Sequence, residues 1–144
     1  MADRTARTQW KGTLEDGSGL VTMESSQVLV SVPVTWAART EEPGGMTSPE
    51  ELLAAAQASC YAMAFSNALA KAGSPAESLD VEATATFEPG RGVTTMQLSV
   101  RGRVPGVDAD RFRQLAEDGV KACPIANAIR GNVDIRLTAE LQGG

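Results

Sequence analysis

The 144-residue chain is 42% hydrophobic and 22% charged, the balance of a soluble globular protein of one domain, 1–144. Its formal net charge of −5 argues against a general nucleic-acid binder, which carries a basic stripe. It has no histidine, which removes histidine general bases, Cys-His nucleophile pairs and imidazole zinc sites, and its two cysteines alone make a poor metal cage.

No apolar run is long enough to span a bilayer, and "MADRTARTQW" lacks the apolar core of a signal peptide. The expected setting is cytoplasmic, with no membrane or nucleic-acid partner. Thiols there stay reduced unless their disulfide does chemistry.

Along the chain, "TQWKGTL" and "GLVTMES" read as short strands around the turn "EDGSG". "VLVSVPV" reads as another strand, with Pro33 marking an edge or an ending. From Thr35 to Thr47 the sequence "TWAARTEEPGGMT" has the charge and glycine of a loop.

"SPEELLAAAQASCYAMAFSNALAKAG" announces a helix at both ends. Ser48 is a natural N-cap, Pro49 suits the first helical position and Glu51 completes a capping box. Gly73 marks the stop, with Lys71 in the last turn. Apolar residues from Leu52 to Phe65 cover nearly the whole circumference, so the helix is expected to be buried on most sides. One domain of this size has few ways to surround it, which points to a partner subunit.

"LDVEATATF" and "TTMQLSVRGRV" alternate cleanly and form an antiparallel hairpin across "EPGRG". Val81, Ala83, Ala85 and Phe87 share one face of the first strand. "DADRFRQLAEDGVKAC" is an amphipathic helix capped by Asp108, with Phe112, Leu115, Ala116 and Val120 inward. A short helix starts at Pro124, and "VDIRLTAEL" closes the chain as a strand. Strands ahead of and between long helices indicate the α+β class, with antiparallel sheets around a long central helix.

The cysteines occupy different electrostatic positions. Cys123 lies at a helix N-terminus, where unpaired N–H groups and the macrodipole favour a thiolate, and Lys121 adds to that field. Cys60 is about three turns into its helix, where apolar burial holds a thiol neutral. Its reactivity therefore needs a cation from elsewhere, and Arg39 offers one. By residue chemistry alone Arg39 is first a solvated surface side chain and Glu50 a dipole-complementing carboxylate, and both cysteines can be inert core residues. The helix-tip argument alone favours Cys123 as the attacking thiol.

"TSPEELLAAAQASC", followed downstream by "KACPIANAI", resembles the OsmC/Ohr family of thiol-dependent peroxidases. The resemblance extends to Trp10–Gly12, to "PGVDADRF" before the second helix, and to the Cys-Pro helix. "GTL…GSGLVTMES" and "VPGVDA" resemble the OsmC branch more than the Ohr branch. The resemblance implies an organic hydroperoxide reductase with an OsmC-like fold, working as an intertwined homodimer with sites at the subunit interface. Cys60 matches the peroxidatic cysteine, Cys123 the resolving one, and Arg39 and Glu50 the pair that activates the first thiol. An external dithiol of the lipoyl type is the implied reductant, and no metal or organic cofactor is implied. The stretch from Arg39 to Glu50 is slightly longer than the family's pattern, and Ser48 replaces the more usual asparagine.

Helix geometry adds one constraint. Glu50 and Cys60 on one straight helix are about 15 Å apart along its axis, too far to share one small site. If both act on one peroxide, Glu50 comes from the other subunit. Two further readings stay open: a thiol–disulfide oxidoreductase acting on proteins, and a non-catalytic module binding an apolar ligand beside Cys60.

Overall fold

Among residues 1–143, which the computed structural model describes, the chain forms six strands and four helices. The order is β1 (Arg7–Lys11), β2 (Ser18–Thr22), β3 (Val32–Val34), α1 (Trp36–Thr40), α2 (Pro49–Lys71), β4 (Ser78–Glu88), β5 (Gly92–Arg103), α3 (Ala109–Ala122), α4 (Pro124–Ile129) and β6 (Asp134–Leu141). This is an α+β arrangement with two three-stranded sheets. The chain divides into two compact units, Met1–Leu52 and Leu53 onward.

In the first unit, β1, β2 and β3 pair antiparallel in that order, from Arg7↔Thr22 to Gly19↔Val34. Val21 and Val34 are buried, whereas every residue of β1 is exposed. Pro33 sits on an edge strand, where its missing N–H costs no ladder bond. The strand expected over "VLVSVPV" is shorter than its apolar run. Gln27 and Ser31 adopt φ of 59° and 54°, a left-handed turn that leaves Val28, Leu29 and Val30 exposed outside the ladder. The expected loop from Thr35 to Thr47 likewise contains a helix, α1. Thr35 is its N-cap, accepting the Ala38 N–H at 3.1 Å, so side-chain capping outweighs the loop-like composition around it.

Helix α2 starts and stops where its caps dictate. Ser48 Oγ accepts the Glu51 N–H at 3.1 Å. The capping box is only half made, because the Glu51 carboxylate accepts the Thr47 hydroxyl at 2.7 Å instead of reaching back. At the other end Ser74 N–H bonds Leu69 C=O and Gly73 N–H bonds Ala70 C=O, the paired contacts of a Schellman stop. Gly73 supplies the required left-handed φ of 84°. The circumference is not buried on most sides within one chain: Ala55, Ser59 and Met63, one turn apart, are exposed. This stripe has no cover from the described residues of this chain.

The second sheet has the order β4-β5-β6. β4 and β5 form the expected antiparallel hairpin, with a bulge between Thr86 and Phe87. β6, however, joins β5 in parallel, from Thr95↔Asp134 to Gly102↔Leu141, so this sheet is mixed and not antiparallel throughout. A parallel neighbour needs a crossover of a dozen residues or more, and α3 and α4 provide it. The core of this unit joins Tyr61, Phe65 and Leu69 of α2 to Leu98 and Val100 of β5 and Phe112, Leu115 and Ala116 of α3. Phe65 packs on Tyr61 and Phe112 with ring centroids 5.6 and 5.2 Å away. Cys123 and Ala126 complete this cluster from the α3–α4 junction.

Candidate functional site

Arg39 lies in the last turn of α1 and Glu50 in the first turn of α2. Arg39 Nε and Nη2 each donate to a Glu50 carboxylate oxygen at 2.9 Å, a fork-to-fork pair. Glu50 is 8% exposed, so its charge is held by the guanidinium and not by bulk solvent. The Arg39 guanidinium also lies 5.8 Å from the Trp36 ring centroid, an added cation–π contact. The cap on Thr35 therefore matters to the site, because it shapes the single helical turn that presents both Trp36 and Arg39. Arg39 forms part of the wall of a cavity of about 320 Å³ whose lining includes Trp10, Val21, Val34, Trp36 and Leu52. A cationic group at the side of an apolar hollow suits a ligand with one polar end and one apolar end.

The thiols are both in the second unit and both unbridged. Cys123 is fully buried, at once the C-cap of α3 and the N-cap of α4. Cys60 is half-buried and meets the Cys123 thiol. Burial pushes the Cys60 thiol above its ordinary value, the Ile125 backbone N–H pulls it down, and the thiol and charge of Cys123 push it up again. The net direction is upward, because burial and Cys123 outweigh Ile125.

One expectation is corrected here. Cys60 was expected to lack any helix-terminus assistance, yet the backbone of Ile125, in the first turn of α4, pulls its thiol downward. Cys60 and Ile125 pack against the same core cluster, so the tip of one helix acts on the cysteine of another. Sequence position along α2 carries no trace of this.

Sequence reasoning also missed Gln57, which is fully buried and donates its Nε2 N–H to Cys123 Sγ at 3.3 Å. The available signal was a lone amide in the apolar run "LLAAAQASC", one helical turn before Cys60. The four residues singled out from the sequence thus fall into two pairs, Arg39 with Glu50 in one unit and Cys60 with Cys123 in the other.

Fold and site together define a two-thiol protein of mixed α and β structure. Residues 42–138 match the family model of OsmC-like proteins. The chain is 31% identical over 135 residues to peroxiredoxin OsmC of Escherichia coli (strain K12), covering 92% of this chain and 93% of that protein. It is 36% identical over 98 residues to an organic hydroperoxide resistance protein of Xanthomonas axonopodis pv. citri (strain 306), covering 66% and 68% of the two. In fold it resembles an organic hydroperoxide resistance protein from Elizabethkingia anophelis, with a TM-score of 0.70 at 23% identity over 98% of this chain and 97% of that one. A similar likeness holds to the organic hydroperoxide resistance protein OsmC from Legionella pneumophila, with a TM-score of 0.66 at 23% identity over 97% and 99%. The chain belongs to the OsmC/Ohr family. No helix among the described residues is long and apolar enough to cross a membrane.

Proposed function

We propose that this protein is a cysteine-based peroxidase that reduces organic hydroperoxides to alcohols, with Cys60 as the attacking thiol and Cys123 as the resolving one. The observation that carries the reading is the presence of two unbridged thiols at one packed core, each acting on the other's surroundings. The names borne by relatives, peroxiredoxin and organic hydroperoxide resistance protein, point to the same chemistry. Of the two thiols Cys60 is the accessible one, whereas Cys123 is sealed from solvent.

In this mechanism the Cys60 thiolate attacks the terminal oxygen of the hydroperoxide. An S–O bond forms, the O–O bond breaks, and its electron pair leaves on the alkoxide, which takes a proton to become the alcohol. Arg39 stabilises both the thiolate and the developing alkoxide, and Glu50 aims the guanidinium. The Cys123 thiolate then displaces the sulfenic oxygen as water and closes the Cys60–Cys123 disulfide. An external dithiol, which the family resemblance suggests is of lipoyl type, reopens it by exchange. A reducing cytoplasmic setting suits such a cycle.

Because burial and Cys123 outweigh Ile125 at the Cys60 thiol, activation needs a cation, and Arg39 fills the role. Glu50 and Cys60 are both on α2, about 15 Å apart along its axis, which favours a homodimer whose Arg39–Glu50 pair serves the partner's thiol. The exposed Ala55, Ser59 and Met63 stripe is the face on which a partner would close.

Mass spectrometry after one equivalent of cumene hydroperoxide tests the cysteine roles. Cys123→Ser should stop at a sulfenic acid on Cys60, and Cys60→Ser should consume no peroxide. Retained activity in Cys60→Ser, with the added oxygen on Cys123, would reverse the assignment. Thiol oxidation by protein disulfides without peroxide consumption would favour the oxidoreductase reading.

A further inference from the structure

Gln57 is fully buried in a helix of otherwise small and apolar neighbours, and its amide is only half used. Nε2 donates to Cys123 Sγ at 3.3 Å, while Oε1 is buried and, among the described residues, has no hydrogen-bond partner. Buried amide oxygens are nearly always satisfied, so an orphan beside two thiols calls for a reason. Gln57 also lies three positions before Cys60 on α2, the spacing that puts side chains side by side on a helix.

We propose that Gln57 is a residue of the resolving step, its N–H holding the Cys123 sulfur as acceptor and its Oε1 receiving the hydroxyl of the Cys60 sulfenic acid. This inference rests on the peroxidase reading above and extends it. An N–H donor stabilises the negative charge its acceptor sulfur carries during attack, so Gln57 supports buried Cys123 as the nucleophile of the closing step. That support matters because Cys123 has no solvent to stabilise its charge. The titratable groups that face it are Cys60, whose thiol it meets, and Tyr61, whose phenol is pushed up by burial and by the Cys123 charge.

Oxidation of Cys60 creates a new O–H donor at the end of the side chain next to Gln57. Oε1 is the unsatisfied acceptor on that face of α2, and accepting this hydroxyl orients the S–O bond away from Cys123. The Cys123 thiolate then attacks the Cys60 sulfur. The S–S bond forms, the S–O bond breaks with its electron pair on oxygen, and the hydroxide takes the proton given up by the Cys123 thiol and departs as water. The sulfenic sulfur is reduced and Cys123 oxidised, with no other reagent. One amide thereby holds both reacting sulfurs for the condensation.

Gln57→Met tests this, because it keeps the length and apolar packing of the side chain while removing donor and acceptor. In single-turnover stopped-flow with cumene hydroperoxide, Cys60 oxidation should stay within about twofold of wild type. Disulfide closure should slow by about tenfold or more, with a dimedone-trappable sulfenic acid accumulating. Gln57→Asn, which retains the amide, should recover part of the loss. In a Cys60→Ser background, the thiolate absorbance of Cys123 at about 240 nm, read at one fixed pH, should weaken when Gln57→Met is added. This last measurement needs no peroxide. An unreactive wild-type chain would therefore refute the peroxidase reading, whereas an unchanged Cys123 absorbance or an unchanged closure rate would refute the role of Gln57. Equal slowing of both steps, with a lowered thermal midpoint, would mean that Gln57 only packs.

Discussion

Replacing Arg39 by alanine removes both 2.9 Å contacts to Glu50 and leaves a carboxylate only 8% exposed without its counter-charge. Stranding a fully buried charge costs about 3–5 kcal/mol. The Arg39 side chain is 28% exposed, so water reaches the pair and the discounted cost is about 2 kcal/mol. For a chain of this size that lowers the thermal midpoint by about 6 °C. The effect on chemistry is separate and larger in rate. Without the guanidinium, Cys60 keeps only the Ile125 N–H against burial and Cys123, and peroxide reduction should fall on the order of a hundredfold, about 2–4 kcal/mol. Iodoacetamide alkylation of Cys60 should slow with it, since both reactions need the thiolate. Stopped-flow oxidation and alkylation, measured at one pH on Arg39→Ala, Glu50→Ala and the double variant, separate the contributions. If Glu50 acts only by aiming Arg39, adding Glu50→Ala to Arg39→Ala should change the rate by no more than about twofold. Arg91→Ala and Arg101→Ala, whose side chains are 72% and 55% exposed, should leave both rates nearly unchanged. Wild-type rates in Arg39→Ala, or fully multiplicative losses in the double variant, would refute the pairing argument.

The shared-site model is tested by co-expressing Cys60→Ser with Glu50→Ala and purifying the heterodimer. One site inherits both lesions and the other is intact, so about half of wild-type activity should return; a heterodimer as inactive as its parents would sink the model. Gly102→Ala should destabilise the chain by about 1–3 kcal/mol in urea unfolding, because a Cβ there lies 2.6 Å from the Phe112 ring, itself fixed against Phe65. Phe112→Leu in the same chain should return part of that loss, and a Gly102→Ala chain as stable as wild type would show that the ring yields freely. Stability should also depend on alkaline pH. Burial raises the thiol of Cys60 and the phenol of Tyr61, whose hydroxyl donates to Ala116 C=O at 2.9 Å. The unfolded chain then releases protons that the folded one retains, so stability is fully present below about pH 8.5 and declines above it. Urea midpoints measured between about pH 7 and 10 should fall, less steeply in Tyr61→Phe, and a flat profile would contradict the burial argument.

The elements whose signals are local were legible in the sequence. Ser48, Gly73 and Asp108 fix helix ends through bonds to their own neighbours, so a linear reading finds them. The alternation in β4 and β5 is equally local, and the motifs "TSPEELLAAAQASC" and "KACPIANAI" carry the resemblance that brings the family within reach of the sequence. Three features escape a linear reading, two of them because tertiary structure decides them. β6 pairs in parallel because α3 and α4 carry the chain across, and pairing direction depends on that path, not on the alternating pattern of the strand. Helix α1 is capped locally by Thr35, but the charge and glycine after it have the composition of a loop and mask the cap. The thiol environment is the deepest case. The Ile125 backbone pulls on the Cys60 thiol, and Cys123 accepts an N–H from Gln57, across separations of 65 and 66 residues that no spacing rule connects. The sequence determined which groups are available for the chemistry. The electrostatics of each thiol arises from helices packed side by side, because a hydrogen bond or a desolvation acts over ångströms of space and not over positions along the chain.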